Sequence, residues 1–493
     1  MSGGLILAID QGTTNTKALA VDSSGRIVAQ ASAPMNVSYP KPGWAEQSAL
    51  DIWSSVRRVI AEVMAQTGPD IDAIAISNQR ETIVAWDATT GAPLAPAITW
   101  QCRRSTERCE AIRAAGHAGL VEQKTGLGLD PLFPAAKIGW LIENVEDVRS
   151  ATERGTLRVG TVDAWLLFKL TAGAVHATDH SNASRTQLLD TDTLTWDNEL
   201  LAIFGVPSSA LPRVMPSNSH FGDVAAGATA LTSGTPIHAM LGDSHAALFG
   251  HGVRAPGTVK ATYGTGSSLM TLTSARRRST HGLSATIAWS TTSGGAVHAL
   301  EGNISVSGQA AAFMSELLGI QSSEALAGLA TSVPDSNGVS FVPALVGLGA
   351  PHWAPDARGL VTGLSLGTRP AHLARAAIEA IAQQVADVFE AMQDDLGAPL
   401  AQLSADGGAS RNDALMQFQA DIIARPVIRG AHAEVSALGA TMMAAQSLGR
   451  TVTPPASAAT FEPTMAAARR DSIRAGWRDA VGRALWQPQI HKN

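Results

Sequence analysis

The sequence predicts an α/β protein built from two similar halves. An order of three strands, a helix and a further strand begins at the N-terminus, and a similar order recurs from residue 257. Each half opens on a hairpin of apolar β-formers whose tip is rich in glycine and hydroxyl side chains. The chain has 493 residues, more than one hydrophobic core normally supports, so two or three domains are expected.

The first half opens on a hairpin from Leu5 to Ala20. Apolar runs on both sides of a glycine-centred turn are typical of paired antiparallel strands. The remaining predicted elements of this half are strands over 18–22, 26–32, 72–77 and 82–86 and a helix over 44–65. Three successive antiparallel strands, a helix and a further strand therefore form one α/β unit.

The second half repeats this order. We predict strands over 257–263, 269–273 and 403–405, helices over 373–392 and 414–423, and Gly-rich loops over 264–268 and 406–412. The boundary between the halves is placed at 249–254, which makes residues 1–249 and 250–493 the two domains. The Ala- and Pro-rich stretch over 451–458 is interpreted as a surface connection.

The tip of the first hairpin has the composition of a phosphate-binding loop. Glycine lets the backbone approach a bulky anion, and successive N–H groups, threonine hydroxyls and one lysine supply donors and positive charge. Asp10, at the end of the first strand, is a candidate ligand for Mg²⁺. An ordinary polar turn with a solvated Asp10 is the alternative. Three such loops in two similar halves favour two related domains that close on a nucleotide.

Composition and charge exclude several classes of protein. The formal net charge is −6, and Lys and Arg are scattered through the chain, which argues against nucleic acid or an anionic membrane as a partner. The N-terminus lacks a secretion signal and no uncharged apolar run reaches 18 residues, so a cytoplasmic location is expected. Cys102 and Cys109 lie too far apart for a disulfide if that stretch is helical, at about 1.5 Å of rise per residue. Two cysteines and scattered histidines make no zinc pattern.

Several long, ordered motifs together resemble the FGGY family of carbohydrate kinases, and most of all its glycerol kinases. The motifs are AIDQGTTNTK, YPKPGWAEQ, ISNQRET, ITWQCRR, GTVDAWLLFKLT, TDHSNASRT, GDSHAALFG, TYGTG, NGVSFVPALVGLGAPHW, DGGASRNDALMQFQADI and VSALGA. One family signature is nearly matched over Phe133–Asn144, and the other is complete over Gly359–Glu379. The resemblance implies two actin-like, ribonuclease-H-like domains with ATP and a sugar in the cleft between them.

The resemblance also implies a role for each site residue. Asp243 is the general base that accepts the proton of the attacking hydroxyl; the alternative is an Asp that caps the following helix. Arg80 and Glu81 hold adjacent hydroxyls of the substrate rather than forming a surface ion pair. Trp100 lies against the carbon chain of the substrate, although as one of eleven tryptophans it would ordinarily be assigned to the core.

The nucleotide is assigned to the three loops by the same resemblance. The implied ATP contacts are Thr13, Thr14 and Lys17 at the phosphates, Thr265 and Gly308 in the middle, and Gly408 and Asn412 at the nucleoside. His245 and His251 are interpreted as packing or capping residues. The loop over 347–351 is a candidate for a moving wall of the cleft, because water must be excluded during phosphoryl transfer.

The chain departs from the glycerol kinases mainly in the sugar pocket. Lys17 and Ala312 stand where glycerol kinases usually have Arg and Gln near the nucleotide. Leu132, Ser244 and Ser268 replace a substrate-binding Tyr, a Gln beside the catalytic Asp and a Phe that packs on glycerol. Losing a buried ring forfeits about 1.5–3 kcal/mol, so weak glycerol binding and an acceptor of about four or five carbons form one hypothesis. The opposing hypothesis is that neighbouring loops fill the space and glycerol remains the substrate.

Two other classes share this fold. Actin-like folds also serve as ATPases that change shape, and a pseudokinase could sense a sugar without chemistry. The pair Arg80/Glu81 and the base Asp243 argue against the first class, and intact Asp10 and Asp243 argue against the second. The sequence leaves open the acceptor, the regulators and whether the protein is a homo-oligomer.

Overall fold

The computed structural model describes residues 4–453 and 457–486, and its first half contains the elements up to residue 250. The strands are β1 (Leu5–Gln11), β2 (Asn15–Val21), β3 (Ile27–Pro34), β4 (Glu46–Gln47), β5 (Ile71–Asn78), β6 (Ile83–Asp87), β7 (Ala97–Ile98), β8 (Leu157–Thr161), β9 (Ala177–Asp179), β10 (Leu189–Asp190), β11 (Thr195–Trp196), β12 (Arg213–Met215), β13 (Gly222–Asp223) and β14 (Pro236–Gly242). The helices are α1 (Ala49–Thr67), α2 (Thr106–Ala114), α3 (Ala118–Thr125), α4 (Pro134–Asn144), α5 (Glu146–Glu153), α6 (Val162–Leu170), α7 (His180–Ala183), α8 (Asn198–Phe204) and α9 (Asp243–Gly250).

The second half contains the remaining elements. Its strands are β15 (Thr258–Tyr263), β16 (Ser267–Thr273), β17 (Ser284–Thr291), β18 (Gly295–Ile304), β19 (Ser340–Val342), β20 (Leu360–Thr362), β21 (Gln402–Asp406), β22 (Val427–Gly430) and β23 (Ser457–Phe461). Its helices are α10 (Gly308–Leu317), α11 (Ser323–Thr331), α12 (Pro370–Leu396), α13 (Asp413–Ile423), α14 (Val435–Ser447) and α15 (Ala467–Leu485).

The two main sheets follow the same strand order, except that the second has one additional edge strand, β17. The first sheet runs β13-β14-β5-β1-β2-β3, and the second runs β17-β18-β16-β15-β21-β22-β23. In each, a central strand (β1 or β15) pairs antiparallel with the next strand in sequence and parallel with a later one (β5 or β21). The predicted fold class, two similar α/β domains, is confirmed.

The helix predicted over 44–65 begins later than the sequence pattern indicated. It starts at Ala49 and is capped by Ser48, whose side chain accepts a hydrogen bond from Asp51 N. Glu46 and Gln47 instead form β4, which pairs with β7 in a separate four-stranded sheet. Trp44 packs edge-on against Trp140, with ring centroids 5.2 Å apart. The apolar residues at the start of the predicted helix therefore serve a different core.

Two smaller predictions have clear outcomes. Cys102 and Cys109 are both free and buried, but only Cys109 lies in a helix, α2. The predicted connection over 451–458 falls partly on residues 454–456, outside the described residues, and its last two residues begin β23. Across residues 4–453 and 457–486, no helix combines the length and the apolar character needed to span a bilayer.

Helices α9 and α14 cross between the two sheets. A core cluster of both halves surrounds them, with Ala246 and Leu248 of α9 beside Leu438 and Met443 of α14. The crossing is close enough that a Cβ on Gly439 would overlap the carbonyl oxygen of Ala246. The two halves are therefore joined by a backbone-to-backbone contact that requires glycine.

We expect Gly439→Ala to destabilise the protein. The atom in the way is backbone, which cannot turn aside, and overpacking of this kind costs about 1–3 kcal/mol. The matched control is Gly476→Ala in α15, where an added Cβ meets nothing within 4 Å and alanine is the better helix former. Urea denaturation of both variants measures the difference; equal free energies of unfolding would contradict the assigned contact.

Candidate active site

The tip of the first hairpin places Asp10 and Lys17 side by side. They are register partners on β1 and β2, so their side chains share one face of the sheet. Gly12 N donates to Asn15 O at 2.9 Å and closes the turn, and Thr14 is exposed at the tip. This brings Asp10, Thr13, Thr14 and Lys17, all predicted from the sequence, into one loop.

Asp10 is the residue that the sequence predicts as a ligand for Mg²⁺. Burial raises its pKa to about 6, and the carboxylates of Asp243 and Glu434 add to that rise, while Ser77 and Lys17 oppose it. Ser77 Oγ donates to Asp10 Oδ1 at 2.8 Å. No cluster of three or more His, Cys, Asp or Glu side chains suited to a metal occurs in the described residues. A single carboxylate is compatible with Mg²⁺, which usually keeps several waters and is bound through one or two carboxylates together with substrate phosphates.

The tip of the second hairpin meets the start of α10. Gly308 N donates to Gly264 O at 2.9 Å, and Ser307 N donates to Thr265 O at 2.9 Å. A Cβ on Gly308 would lie 2.6 Å from Gly264 O, so only glycine allows this approach. The predicted residues Thr265 and Gly308 are therefore neighbours.

The third loop touches the second. Gly407 has φ +90°, and a Cβ there would lie 2.5 Å from Tyr263 O. Gly408 follows it with open space around its Cα. Asn412 caps α13, with its Oδ1 accepting from Leu415 N at 3.1 Å. The two glycine-rich loops of the second half are therefore in contact.

Asp243 lies where β14 ends and α9 begins. Its Oδ1 accepts from Ser244 N at 2.6 Å and from Arg80 Nε at 3.2 Å, while 39 % of its side chain stays exposed. Burial raises the pKa of the Asp243 carboxyl, and the Arg80 guanidinium opposes that rise. β1 and β14 both run parallel to β5, with Asp10 opposite Ser77 and Gly242 opposite Asn78, so Asp10 and Asp243 lie at the same edge of the first sheet. Asp243 is therefore a partly accessible anion held in orientation by protein donors.

Arg80 and Glu81 are buried and pair with other residues rather than with each other. Arg80 Nη1 donates to Glu301 Oε1 at 2.6 Å, and Arg185 Nε donates to Glu81 Oε1 at 2.7 Å. Arg80 Nη2 and Glu81 Oε2 make no hydrogen bond within the described residues, which leaves the two N–H groups of Nη2 and one carboxylate oxygen for a ligand. A surface ion pair, the alternative considered from sequence, does not describe this geometry.

Glu81 has an unusual backbone conformation. Its φ is +60°, in the left-handed region that non-glycine residues rarely adopt. Lys137 is fully buried and donates to the carbonyl oxygens of Glu81 at 3.2 Å and Leu132 at 2.6 Å. Lys137 therefore ties together two segments that carry predicted substrate contacts.

Trp100 links the first hairpin to the residues predicted to bind the substrate. We call this hairpin the phosphate hairpin, because its tip is the predicted phosphate-binding loop. Its Nε1 donates to Thr13 Oγ1 at 2.9 Å, and its backbone N donates to Thr82 Oγ1 at 3.2 Å. Thr13 and Thr82 both donate to Gln79 Oε1, at 3.3 and 2.8 Å. This network couples the orientation of the indole to the hairpin that carries Asp10.

Ser244 and Ser268 meet across the two halves. Ser244 Oγ donates to Ser268 Oγ at 3.1 Å, and Ser268 Oγ donates to Glu301 Oε1 at 3.2 Å. Leu132 is partly buried, with its N bonded to Asp130 Oδ1. A chain of two hydroxyls and one carboxylate therefore begins directly beside Asp243.

Sequence reasoning missed the charged residues that hold this site together. Glu301 is fully buried between Arg80 and Arg185, with Arg185 Nη2 2.8 Å from Glu301 Oε2. Burial opposes ionisation of Glu301, but Arg185 and Arg80 outweigh it and lower the pKa of this carboxyl. Lys260 is also fully buried, and its Nζ makes no hydrogen bond within the described residues. One sequence signal could have indicated them: Glu301 and Lys260 are single charged residues within otherwise mostly apolar strand segments, HALEGNI and TVKATY.

His245 and His251, which the sequence analysis interpreted as packing or capping residues, both have hydrogen-bond partners within the protein. His245 is buried, and its Nε2 lies 3.2 Å from Thr286 Oγ1. His251 Nε2 lies 2.6 Å from Asp406 Oδ2 at the end of β21. Both therefore sit in packed, hydrogen-bonded positions, as the sequence interpretation had it.

Two similar α/β domains with three glycine-rich loops are compatible with a carbohydrate kinase, and comparison with family models shows the family to which the chain belongs. Residues 5–250 match the N-terminal domain of the FGGY family of carbohydrate kinases, and residues 259–448 match its C-terminal domain. The chain belongs to this family. It is therefore a phosphotransferase that uses ATP and an alcohol group of a polyol or sugar, as predicted from the motifs.

Individual relatives of similar sequence or structure are glycerol kinases and sugar kinases. The chain is 45 % identical to an apulose kinase of Pectobacterium atrosepticum and 45 % identical to a glycerol kinase of Symbiobacterium thermophilum, each over 98 % of this chain and 99 % of the relative. The crystal structure of Plasmodium falciparum glycerol kinase with ADP superimposes with a TM-score of 0.92 at 32 % identity, over 98 % of this chain and 99 % of that one. A xylulose kinase of Lactobacillus acidophilus, with a TM-score of 0.87 at 22 % identity, shares the fold.

Proposed function

We propose that this kinase transfers the γ-phosphoryl group of ATP to a hydroxyl of a polyol or ketose of four or five carbons. The observation that carries the proposal is the Ser244–Ser268 contact beside Asp243. Small hydroxyl side chains stand there in place of the Gln and Phe that the resemblance assigns to glycerol kinases. Residues 1–249 and 250–493 are proposed as the two domains that meet at this contact.

Asp243 is proposed as the general base. Its carboxylate is partly exposed, oriented by Arg80 and Ser244, and near Asp10. A base so held can accept the proton of the attacking hydroxyl as the oxygen approaches phosphorus. Arg80 Nη2 and Glu81 Oε2 are proposed to hold neighbouring hydroxyls, and Trp100 to lie against the carbon chain.

The nucleotide is proposed to bind across the three glycine-rich loops. Thr13, Thr14 and Lys17 would contact the phosphates, Thr265 and Gly308 the middle of the nucleotide, and Gly408 and Asn412 the nucleoside. Asp10 would hold Mg²⁺, which neutralises charge on the phosphates when bound. The protein's own contribution is positioning and fixed charge, the main needs of phosphoryl transfer.

The acceptor is argued from space and hydrogen bonding. Replacing a ring by Ser268 removes an apolar wall, and the Ser244–Ser268–Glu301 chain offers hydroxyl oxygens that can bond additional substrate hydroxyls. The chain is equally identical to an apulose kinase and to a glycerol kinase, so overall sequence similarity does not distinguish a sugar from glycerol as the acceptor. The local chemistry favours the longer, more hydroxylated molecule.

A panel of acceptors tests the proposal. ADP release is measured with glycerol, four-carbon polyols, and straight and branched five-carbon ketoses at equal concentrations. We expect the highest kcat/KM for a four- or five-carbon acceptor, and a clear preference for glycerol would overturn the acceptor assignment. ATP turnover that no acceptor stimulates would contradict the catalytic assignment as well.

We expect Ser268→Phe to shift the preference toward glycerol. The ring restores an apolar wall worth about 1.5–3 kcal/mol, or about 10- to 100-fold in relative kcat/KM. Ser268→Ala is the matched control, because it removes the hydroxyl without filling the space. Ser268→Ala should weaken the longer acceptor without improving glycerol; identical behaviour of the two variants would show that volume at position 268 does not select the acceptor.

The proposal also predicts an acidic limb in the pH profile. Asp10 and Asp243 act as anions and both have raised pKa values, about 6 for Asp10, so the active form is present above the pKa and lost as pH falls through it. We expect kcat/KM to fall about tenfold per pH unit below the pKa of one required anion. The same shift makes the folded state bind more protons, so the contribution of Asp10 to stability declines as pH rises from 3.8 to about 6. A pH profile of kcat/KM that stays flat to pH 5, with folding verified by circular dichroism, would contradict the requirement for these two anions.

A further inference from the structure

Lys17 is held by a residue from the other half of the chain. Its Nζ lies 2.9 Å from Glu434 Oε1 and 2.7 Å from Glu434 Oε2. The lysine side chain is 33 % exposed and that of Glu434 is 21 % exposed. The pair is therefore partly shielded from water and stronger than an ordinary surface ion pair.

Glu434 is rigidly placed. It immediately precedes α14, which packs against α9 and against β1, β5 and β14 of the first sheet. Its side chain makes no cap on that helix. The backbone of Glu434 is thus fixed by packing, while its carboxylate is directed to Lys17.

The pair lies at the phosphate hairpin. Lys17 is the register partner of Asp10, and the Glu434 carboxylate is near enough to contribute to the raised pKa of Asp10. An ammonium group has three N–H donors, of which Glu434 takes two. One donor of Lys17 remains for a phosphate oxygen.

We propose that Glu434 is a positioning residue for phosphoryl transfer, which holds the Lys17 ammonium between the two halves so that it meets the phosphates of ATP already oriented. The inference rests on the proposed contact of Lys17 with those phosphates. Lysine has a long flexible stem, and fixing it before the nucleotide binds lowers the entropy lost on binding. The pair also ties the phosphate hairpin of the first half to α14 of the second.

A double-mutant cycle tests the proposal. We expect Lys17→Met to raise KM for ATP and lower kcat, and Glu434→Gln to lower kcat/KM for ATP about five- to tenfold. In the Lys17→Met background, Glu434→Gln should change it less than about twofold, because its effect passes through Lys17. Lys17→Arg keeps the charge and should retain the coupling to Glu434.

Further measurements separate positioning from a merely structural role. The acceptor KM of Glu434→Gln should stay at the wild-type value, its circular dichroism spectrum should match that of the wild-type protein, and Glu434→Asp should recover part of the lost kcat/KM. Additive effects in the cycle, or tighter ATP binding by Glu434→Gln, would overturn the proposal. If Lys17→Met leaves the kinetics with ATP unchanged, the proposed phosphate contact of Lys17 fails instead, which distinguishes the two claims.

Discussion

Asp243→Asn is expected to lower kcat by a factor of about 10²–10⁴, the usual contribution of a general base. The amide keeps an oxygen that can accept from Ser244 N and Arg80 Nε, so the local geometry is retained while the basic group is lost. Nucleotide binding should be spared, because the three loops that would hold ATP are unchanged. ADP release in the presence of the preferred acceptor measures the rate, and calorimetric titration with ADP measures binding.

The control for this substitution is Asp223→Asn. Asp223 is an exposed carboxylate of the first half that pairs with His220, and its neutralisation should leave kcat unchanged. A near-normal rate for Asp243→Asn would remove Asp243 from the mechanism. A loss of ADP binding would mean that the carboxylate supports the nucleotide site rather than the proton transfer.

Glu301→Gln is expected to destabilise the protein by about 3–5 kcal/mol, the cost of breaking a buried ion pair by removing one partner. Glu301 is fully buried, and it is the carboxylate that both Arg80 and Arg185 face. Its neutralisation leaves part of the buried positive charge of these two guanidinium groups uncompensated. Urea denaturation measures the loss, and the acceptor KM should rise because Arg80 loses the contact that orients it.

Glu62→Gln provides the comparison for Glu301. Glu62 pairs with Arg58 on the exposed surface of α1, where both side chains are largely accessible to water. Exposed pairs of this kind contribute about 0.3–0.5 kcal/mol. If Glu301→Gln cost no more than Glu62→Gln, Glu301 would not be the balancing charge of the site.

The parts of the site that lie on the two hairpin tips and on the loop after β21 could be predicted from sequence, because they depend on local chemistry. Glycine at 12, 264 and 408 and the hydroxyl side chains around them show where the backbone turns and which donors it presents. Apolar runs likewise indicated β1, β2, β3 and β5 of the first sheet and β15, β16 and β21 of the second, whereas β17, β18, β22 and β23 were not predicted. The predicted start of α1 was wrong, because Trp44 and Ala45 pack in another core and Glu46 and Gln47 pair with β7 instead of continuing the helix.

The parts that could not be predicted are contacts between distant segments. Arg80 and Glu301 are separated by 221 positions, and Lys17 and Glu434 by 417. No local pattern encodes which buried charge will meet which, since this depends on how the two sheets face each other. Arg185 lies in a quoted family motif, but nothing in that motif indicates that it pairs with Glu81.

The glycine contact between α9 and α14 has a mechanical consequence. Gly250, at the end of α9, lies against Val435, and Gly439 lies against Ala246, so the two helices contact each other closely over about one helical turn. Because the backbones approach this closely, the two helices would move together in any rotation of one sheet relative to the other. Asp243 begins one of these helices and Glu434 precedes the other, so a single rotation would displace the base and the anchor of Lys17 in concert.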